Sequence, residues 1–532
     1  MERIACTRSG YVIDTLLSCS GDCFLMGFNC ASLYTTFVPS QILPFPEELR
    51  PRLPTIVGNV DYRTLRERLE QIDALLRSSG VERDFIGRSV ALWLKDSKDA
   101  PTAAEQTRHQ ERSRRALRCN LLRTLLQDDY RGFSCQLAGN PLYQWFCRID
   151  ALDQVRVPSK SELQRFAHWL PADEMRPLID GLLRVAVQEP AKLGLEEALD
   201  LQAYFVDSTA LKANIHFPTD WVLLRDAVRT LMKATLLIRR EGLLCRMEEP
   251  EAFLTRMNRL SIEMSQEGRR AGSKKGRKRV LRKMKKLVGV VEAHARRHRE
   301  CLDREWEKTG WTRKQAEVVL RRIDGVLELL PRARRQAHER IIGERKVENA
   351  EKILSLYDTD VRVIVRGKAG AEVEFGNTVL LAENRQGVIL DYQIFRESAP
   401  GDSQMLFGSL VRVAEATGIS VGAVVGDRGF ASATNSKALA ASGTYDGLCP
   451  RNPRELGARM KEEKFAELQK RRAQTEGRIG ILKRGFLGRP MRAKGIEHRE
   501  VALAWGVLTH NLWVLGRLSA TEETKCRERK AA

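Results

Sequence analysis

The chain has 532 residues, 43% hydrophobic and 30% charged, and its 90 Lys and Arg against 69 Asp and Glu leave a formal charge of +21. The composition is that of a soluble globular protein with room for several cores. No apolar run reaches the ~18 residues of a membrane span, and so positive a surface favours a polyanionic partner, most often nucleic acid.

Residues 1–60 form an N-terminal segment without a readable role. "VIDTLLSCSGDCFLMGF" fails as a signal peptide because Asp14 and Asp22 interrupt its apolar core. Cys19, Cys23 and Cys30 cluster there, but their spacing is irregular and no CxxC occurs, so zinc is not favoured. Eleven scattered cysteines suit free thiols in a reducing cytoplasm.

From 61 to 196 the pattern is helical. "LRERLEQIDALLRSSG" carries an apolar stripe of period near 3.6 and ends in glycine. "PSKSELQRFAHWL" opens with Ser159 or Ser161 as a capping residue. A bundle of short helices with Arg and Lys outside is expected to bind DNA or to be plain scaffold; periodicity alone does not separate the two.

At 197–222 the texture changes. Ala203 to Val206 is a short run of strand type that ends at Asp207. Residues 223–359 return to long helices, broken at Pro250 and Pro331. This insertion contains "RRAGSKKGRKRVLRKMKK", with eleven Lys or Arg and no acid. Lys274, Lys275, Arg277, Lys278 and Arg279 at its centre are expected to form a phosphate-contacting arm, or else a solvated loop or face.

Strand texture resumes from about 360. "VRVIVRG", "NTVLLAEN" and "GVILDYQIF" are rich in β-branched residues, and "NRQG" reads as a hairpin turn. "VGAVVGDRGF" is a buried strand ending in Asp427, "YDGLCP" is a short strand, and "PRELGARMKEEKFAELQKRRAQTEGRIGILKR" reads as one long helix. "VALAWGVLTHNLWVLG" is a buried C-terminal helix, and 521–532 is a tail. The succession of strand, helical insertion, strand hairpin and alternating helix and strand is an α/β layer architecture with a mixed sheet, preceded and interrupted by helical domains.

One acid in this region needs an explanation. Glu476 lies among Lys470, Arg471, Arg472, Arg478, Lys483 and Arg484. On a helix Arg472, Glu476, Ile479 and Lys483 share a stripe about 60° wide, with Phe465 and Leu468 close by, so this face is expected to pack inward. An inward acid needs partners. Asp207 and Asp427 are the two other acids that sit where a strand meets a turn, a common place for sites in α/β sheets. Three converging carboxylates repel one another unless hard cations lie between them. Two Mg²⁺ ions ~3.5–4 Å apart, for which Mn²⁺ can substitute, clamp an in-line phosphoryl displacement. The surrounding bases then serve the phosphates of DNA. His216, in "NIHFPTD", is a structural side chain by this reading.

"VVGDRGF", "RAQTEGRIGILKRGF" and "HNLWVL", in that order, resemble the catalytic half of bacterial insertion-sequence transposases of the DDE type, which have a ribonuclease-H-like core. "VDSTALKANIHFPTD" resembles the segment that holds their first aspartate, "RGKAGAEVEFGNTVLLAENRQGVILDYQIF" the hairpin after it, and "LLRTLLQDDYRGFSCQLAGNPLYQWF" their N-terminal helical domain. The resemblance spans roughly Arg115 to Leu518. It implies a ribonuclease-H-like core from 197–222 plus 360–520, a catalytic and metal-holding triad of Asp207, Asp427 and Glu476, and DNA contacts from Arg472 and Lys483. In many relatives a tyrosine precedes that arginine on the same helix; here the position is Gln469. The implied function is metal-dependent cleavage and transfer of DNA strands at the ends of the protein's own mobile element. The implied partners are double-stranded DNA, both element ends and target, and a second copy in a homodimer or higher synaptic complex. The implied place is the bacterial cytoplasm at the nucleoid, with no membrane. Alternatives are a metal-dependent nuclease on the same core and a non-catalytic DNA-binding protein derived from a transposase.

Overall fold

A computed structural model of the chain describes residues 53 and 56–519, apart from 98, 150–153, 218, 270–273, 369–370 and 489. Cys19, Cys23 and Cys30, nearly all of the segment 1–60 and the tail 521–532 lie outside the described residues.

Among the described residues, seven helices come first: α1 (Val60–Ser78), α2 (Val81–Asp96), α3 (Ala103–Leu126), α4 (Tyr130–Gly139), α5 (Pro141–Cys147), α6 (Lys160–Ala167) and α7 (Ala172–Gln188). Their starts are local in origin. Thr102 and Glu105 form a reciprocal capping box on α3, Asp129 accepts from the amides of Arg131 and Gly132 on α4, and Ser159 caps α6. Each satisfies amides that have no partner inside the helix. Arg118 of α3, fully buried, ties the bundle together. It donates to Asp73 of α1 at 2.6 Å, to Glu82 of α2 and to the Phe146 carbonyl of α5. A buried guanidinium is stable only with such partners.

The insertion consists of α8 (Asp220–Arg240), α9 (Pro250–Arg269), α10 (Lys274–Glu305) and α11 (Arg313–Ala337). It has an apolar core of its own, with Leu224, Leu231, Val280, Met284, Val291, Ile323 and Leu330 all fully buried. Pro250 is the first residue of α9, whereas Pro331 lies inside α11, which it does not break.

Among the described residues, six strands form one mixed sheet: β1 (Tyr204–Lys212), β2 (Arg362–Lys368), β3 (Ala371–Asn384), β4 (Ile389–Ile394), β5 (Ala423–Val425) and β6 (Tyr445–Asp446). Their order is β2-β3-β1-β5-β6, and β4 also pairs with β3. β3 runs antiparallel to the whole of β1, from Asn384 opposite Tyr204 to Gly376 opposite Lys212. Its other edge takes first β2 and then β4. β5 is parallel to β1, and β6 to β5. The turn after β3 is the expected "NRQG", with Gly387 at φ +88° and the Asn384 side chain accepting from the Val388 amide at 2.9 Å. Gly376 marks where β3 changes neighbour. A Cβ there would stand 1.8 Å from the Leu211 carbonyl oxygen, so only glycine fits.

The remaining helices are α12 (Asp402–Thr417), α13 (Ala433–Ala441), α14 (Pro453–Arg459), α15 (Glu463–Leu482) and α16 (Ile496–Leu518). α16 is the expected buried helix, and it packs against α1, α3 and α7. Among the described residues, no helix is long and apolar enough to cross a membrane. No break in the core marks the passage from 196 to 197. Leu69, Leu122 and Leu182 of the first helices share one apolar cluster with Tyr204, Leu380 and Val424 of the sheet.

Two expectations about elements need correction. Asp207 does not end its strand: β1 continues for five more residues, to Lys212. The long helix read after "LCP" is two helices, with a turn at Met460–Glu462 and a π-helical turn, Lys483–Leu487, at its far end. Arg459 holds the first turn. Its guanidinium donates to the Asp446 carbonyl at 2.6 Å, pairs with Glu462 at 3.3 Å and lies 4.5 Å from the centre of the Phe465 ring.

Candidate active site

β1 and β5 pair in parallel, with Tyr204 opposite Val424 and Phe205 opposite Val425. β5 then stops while β1 goes on. Two residues beyond the last pair stand Asp207 on one strand and Asp427 just past the end of the other. A step of two returns a side chain to the same face of a strand, so Phe205, Asp207 and Thr209 point the same way. Where β5 ends, a cleft of about 650 Å³ opens, lined by Asp207, Thr209, Asp402, Asp427, Glu476 and Lys483 among others.

α15 crosses this face in the same direction as β1. Leu468 packs against Phe205, and the Arg471 guanidinium lies 4.7 Å from the centre of that ring. Further on, Glu476 is near enough for its charge to act on Asp207. At the end of the helix, the Lys483 ammonium donates to the Thr209 hydroxyl. The three acids thus come from mid-strand, strand end and helix to one cleft.

The face of α15 is not the one expected. The buried positions are Phe465, Leu468, Thr475, Ile479 and Leu482, while Glu476 is exposed. Glu476 stands at the border of the buried stripe, where helix and sheet part to form the cleft. Thr475 takes the inward place because its hydroxyl donates to Glu383 of β3 at 2.9 Å.

The bases around Glu476 divide into two sets. Arg471 donates to Glu383 at 3.2 Å and to the carbonyls of Asn384 and Arg385, and Arg478 reaches the same Arg385 carbonyl. These two fasten α15 to the β3–β4 turn. Lys483 lines the cleft, and the charge of Arg472 acts on Asp207 from the same side. Gln469 positions Arg472: its amide nitrogen donates to the Gly447 carbonyl at 2.7 Å, and its oxygen accepts from Arg472 at 2.9 Å.

Burial, then the neighbouring charges of Asp427 and Glu476, push the Asp207 carboxyl up to about 6; the Ser208 amide and Arg472 oppose the shift. Folded Asp207 therefore holds its proton more tightly than the unfolded chain, whose value is near 3.8. Its charge costs nothing below about pH 4, the cost grows as pH rises towards 6, and it is complete above that. In chelator, Asp207→Asn should raise stability at pH 8 by on the order of 2–3 kcal/mol and leave it unchanged at pH 4. Thermal unfolding at both values checks this, and equal stability at pH 8 would show that the acids do not crowd one another.

Asp427 accepts from the Gly429 amide at 2.8 Å, which fixes its turn. A Cβ at Gly429 would lie 2.4 Å from an Asp402 oxygen and 3.0 Å from an Asp427 oxygen. Asp402, at the start of α12, therefore faces Asp427 across a glycine that leaves room for both. Sequence reasoning missed it, because an acid in the first turn of a helix is ordinary. Among the described residues, no three His, Cys, Asp or Glu side chains stand together at ion-holding distance. The donor chemistry nonetheless fits a hard divalent cation: all the acids offer oxygen, and burial together with the charges of Asp427 and Glu476 makes the negative charge of Asp207 costly, a cost that a cation would offset. His216 is exposed and does not line this cleft.

The basic run of the insertion is not a loop where it is described. It forms the first turns of α10. Lys274 and Lys278 pair with Glu344 at 2.9 and 2.7 Å, and Arg279 with Glu263 at 3.4 Å. Arg277 is half-buried, whereas Lys275, Arg282 and Lys286 are exposed. Neutralising these last three should flatten the dependence of log K on log salt by roughly 0.9 per lost phosphate contact, on specific and random DNA alike. An unchanged slope in a salt titration would make the run a solvated helix face.

No protein-family model, curated protein or solved structure matches this chain.

Proposed function

We propose that the chain is a DNA transposase of the DDE type that binds the ends of its own mobile element and cuts and transfers their strands. The observation that carries this reading is the convergence of Asp207, Asp427 and Glu476 on one cleft that Lys483 also lines. The mixed sheet, with a hairpin antiparallel to β1 on one side and short parallel strands on the other, supports a ribonuclease-H-like core. The charge of +21 supports a DNA partner.

Asp207, Asp427 and Glu476 would hold Mg²⁺ or Mn²⁺, with Asp402 beside Asp427. When bound, the ions supply the Lewis acidity that activates a water or a 3′-hydroxyl and steadies the leaving oxygen. The chain's own part is positioning. Lys483, at the head of its π-helical turn, and Arg472, oriented by Gln469, neutralise the phosphates that flank the reacting one. The walls of the cleft, β1 beneath and α15 alongside, keep the strand in line with the acids. Action on two element ends calls for a homodimer or larger synaptic complex, working at the nucleoid in the bacterial cytoplasm.

The test is cleavage of a duplex that spans one boundary of the protein's gene and the flanking DNA. With Mg²⁺ or Mn²⁺ the protein should cut at the boundary, and with chelator it should bind without cutting. Cutting that ignores the boundary would favour a nuclease, and binding without cutting under any cation a non-catalytic protein.

A further inference from the structure

α15 and the π-helical turn after it present one face to the cleft of the acids. Glu476, Ile479, Gly480, Lys483 and Arg484 all line that cleft. Counted from Glu476 they stand at i+3, i+4, i+7 and i+8, which on a helix is a single face. Glu476 brings the acid of this face, and Lys483 and Arg484 its bases. Gly480 lies between them, about one helical turn from each. The wall of the cleft is therefore cut back to bare helix backbone midway between the acid and the bases.

Neither packing nor backbone conformation within the described chain calls for a glycine here. A Cβ on Gly480 would meet no atom within 4 Å, so no neighbouring side chain needs the space. Its φ lies outside the left-handed region, so no turn or helix cap needs its freedom. It sits inside α15, two residues before the end at Leu482, where glycine is the poorest helix former after proline. Other glycines of the site differ in this respect. At Gly426 a Cβ would lie 3.2 Å from Phe430 and from Val206, and at Gly429 2.4 Å from Asp402. Gly477, one turn earlier on α15, also faces open space, but it does not line the cleft. A glycine that no part of the fold requires, on the wall of a cleft, is suited to close approach by the backbone of a ligand.

We infer that the sugar–phosphate backbone of the reacting strand lies directly against α15 at Gly480, and that the missing side chain sets how closely the strand approaches the acids. The inference rests on the transposase reading and adds to it the path of the strand. With the reacting phosphate at Glu476 and a neighbouring one at Lys483, the deoxyribose between them passes over Gly480. A side chain at this position would hold the strand away from the acids by its own thickness, and a displacement of about 1 Å is enough to cost on the order of 100-fold in rate.

The test compares Gly480→Ala and Gly480→Leu with Gly477→Ala and Gly477→Leu in the full chain. Thermal unfolding is measured beside single-turnover cutting of gene-boundary DNA at saturating protein, with Mg²⁺. Alanine and leucine are better helix formers than glycine, so all four variants should unfold about 1–2 °C higher than the wild type. Cutting should nonetheless fall by about 10-fold in Gly480→Ala and by about 100-fold or more in Gly480→Leu, and more protein should not restore it. The two Gly477 variants should cut within about twofold of the wild type. A gain in stability joined to a size-graded loss of cutting at one position is a result that a structural role for Gly480 would not produce. Wild-type cutting by Gly480→Leu, equal losses at 477 and 480, or a lower unfolding temperature in both Gly480 variants would overturn the inference and leave the transposase reading standing. No cutting by the wild type under either Mg²⁺ or Mn²⁺ would remove that reading and this inference with it.

Discussion

Asp207→Asn, Asp427→Asn and Glu476→Gln should each lower metal-dependent strand cleavage by about 10⁴-fold or more, the scale of losing a member of a unit that acts together, while DNA affinity stays within a few-fold. Each substitution keeps the size of the side chain and removes one negative charge. None should unfold the protein, because the acids repel: the Asp207 carboxyl is held near 6 by burial and by the other two. The DNA contacts expected of Lys483, Arg472 and the exposed bases of α10 are untouched. Binding and cutting should therefore separate. Single-turnover cleavage beside an affinity measurement on the same DNA decides it, and a variant that cuts at nearly the normal rate would exclude its residue from the site. Asp402→Asn belongs in the same series, because Asp402 faces Asp427 across Gly429.

Asp391→Ala should cost about 3–5 kcal/mol of stability, the range for breaking a buried ion pair from one side. Asp391 of β4 is 1% exposed. It accepts from Arg176 of α7 at 3.0 Å, from Arg412 of α12 at 3.0 and 2.7 Å, and from the Ser409 hydroxyl, which in turn bonds Tyr204 of β1. One carboxylate thus joins α7 of the first helices, α12 and the strands β1 and β4. Without it, the Arg176 and Arg412 guanidinium groups lose the carboxylate to which both donate and keep the charge of Asp180 nearby. Arg412→Met added to Asp391→Leu should recover part of the loss, because it removes one of the two guanidinium groups together with the carboxylate and leaves only Arg176 without it. Denaturant unfolding measures both variants, and a loss under about 1 kcal/mol for Asp391→Ala would mean that water reaches this cluster.

The site was legible in part, and the errors have physical causes. Asp207 could be found because it follows the apolar run Ala203–Val206, but it was placed at a strand end. The polar run Asp207-Ser208-Thr209 looks like a turn; it is polar because β5 stops beside it and the strand faces a cleft. Glu476 was singled out by helical spacing, which could not tell a buried stripe from its border. That distinction rests on Glu383, more than ninety residues away, which draws Thr475 inward. The break before α15 contains neither Gly nor Pro and depends on Arg459 reaching the Asp446 carbonyl. The acid partner of Lys274 and Lys278 is Glu344, in a distant part of the chain, so the sequence alone reads the run as a phosphate-contacting arm or a solvated loop or face. The strands and the "NRQG" turn were readable because β-branched texture and turn chemistry are local. The core shared between the first helices and the sheet was not, because apolar periodicity shows that a face is buried but not against what.

The most direct test of the central claim is a joining assay. The protein, Mg²⁺, a duplex that ends at the gene boundary and a supercoiled target plasmid are incubated together, and the products are sequenced across their junctions. Strand cleavage and transfer by one carboxylate site predicts that the 3′ end of the boundary strand becomes covalently joined to target DNA, and that Glu476→Gln gives no junctions. Junctions that persist in Glu476→Gln, or a complete absence of junctions with the wild-type protein under both Mg²⁺ and Mn²⁺, would contradict it.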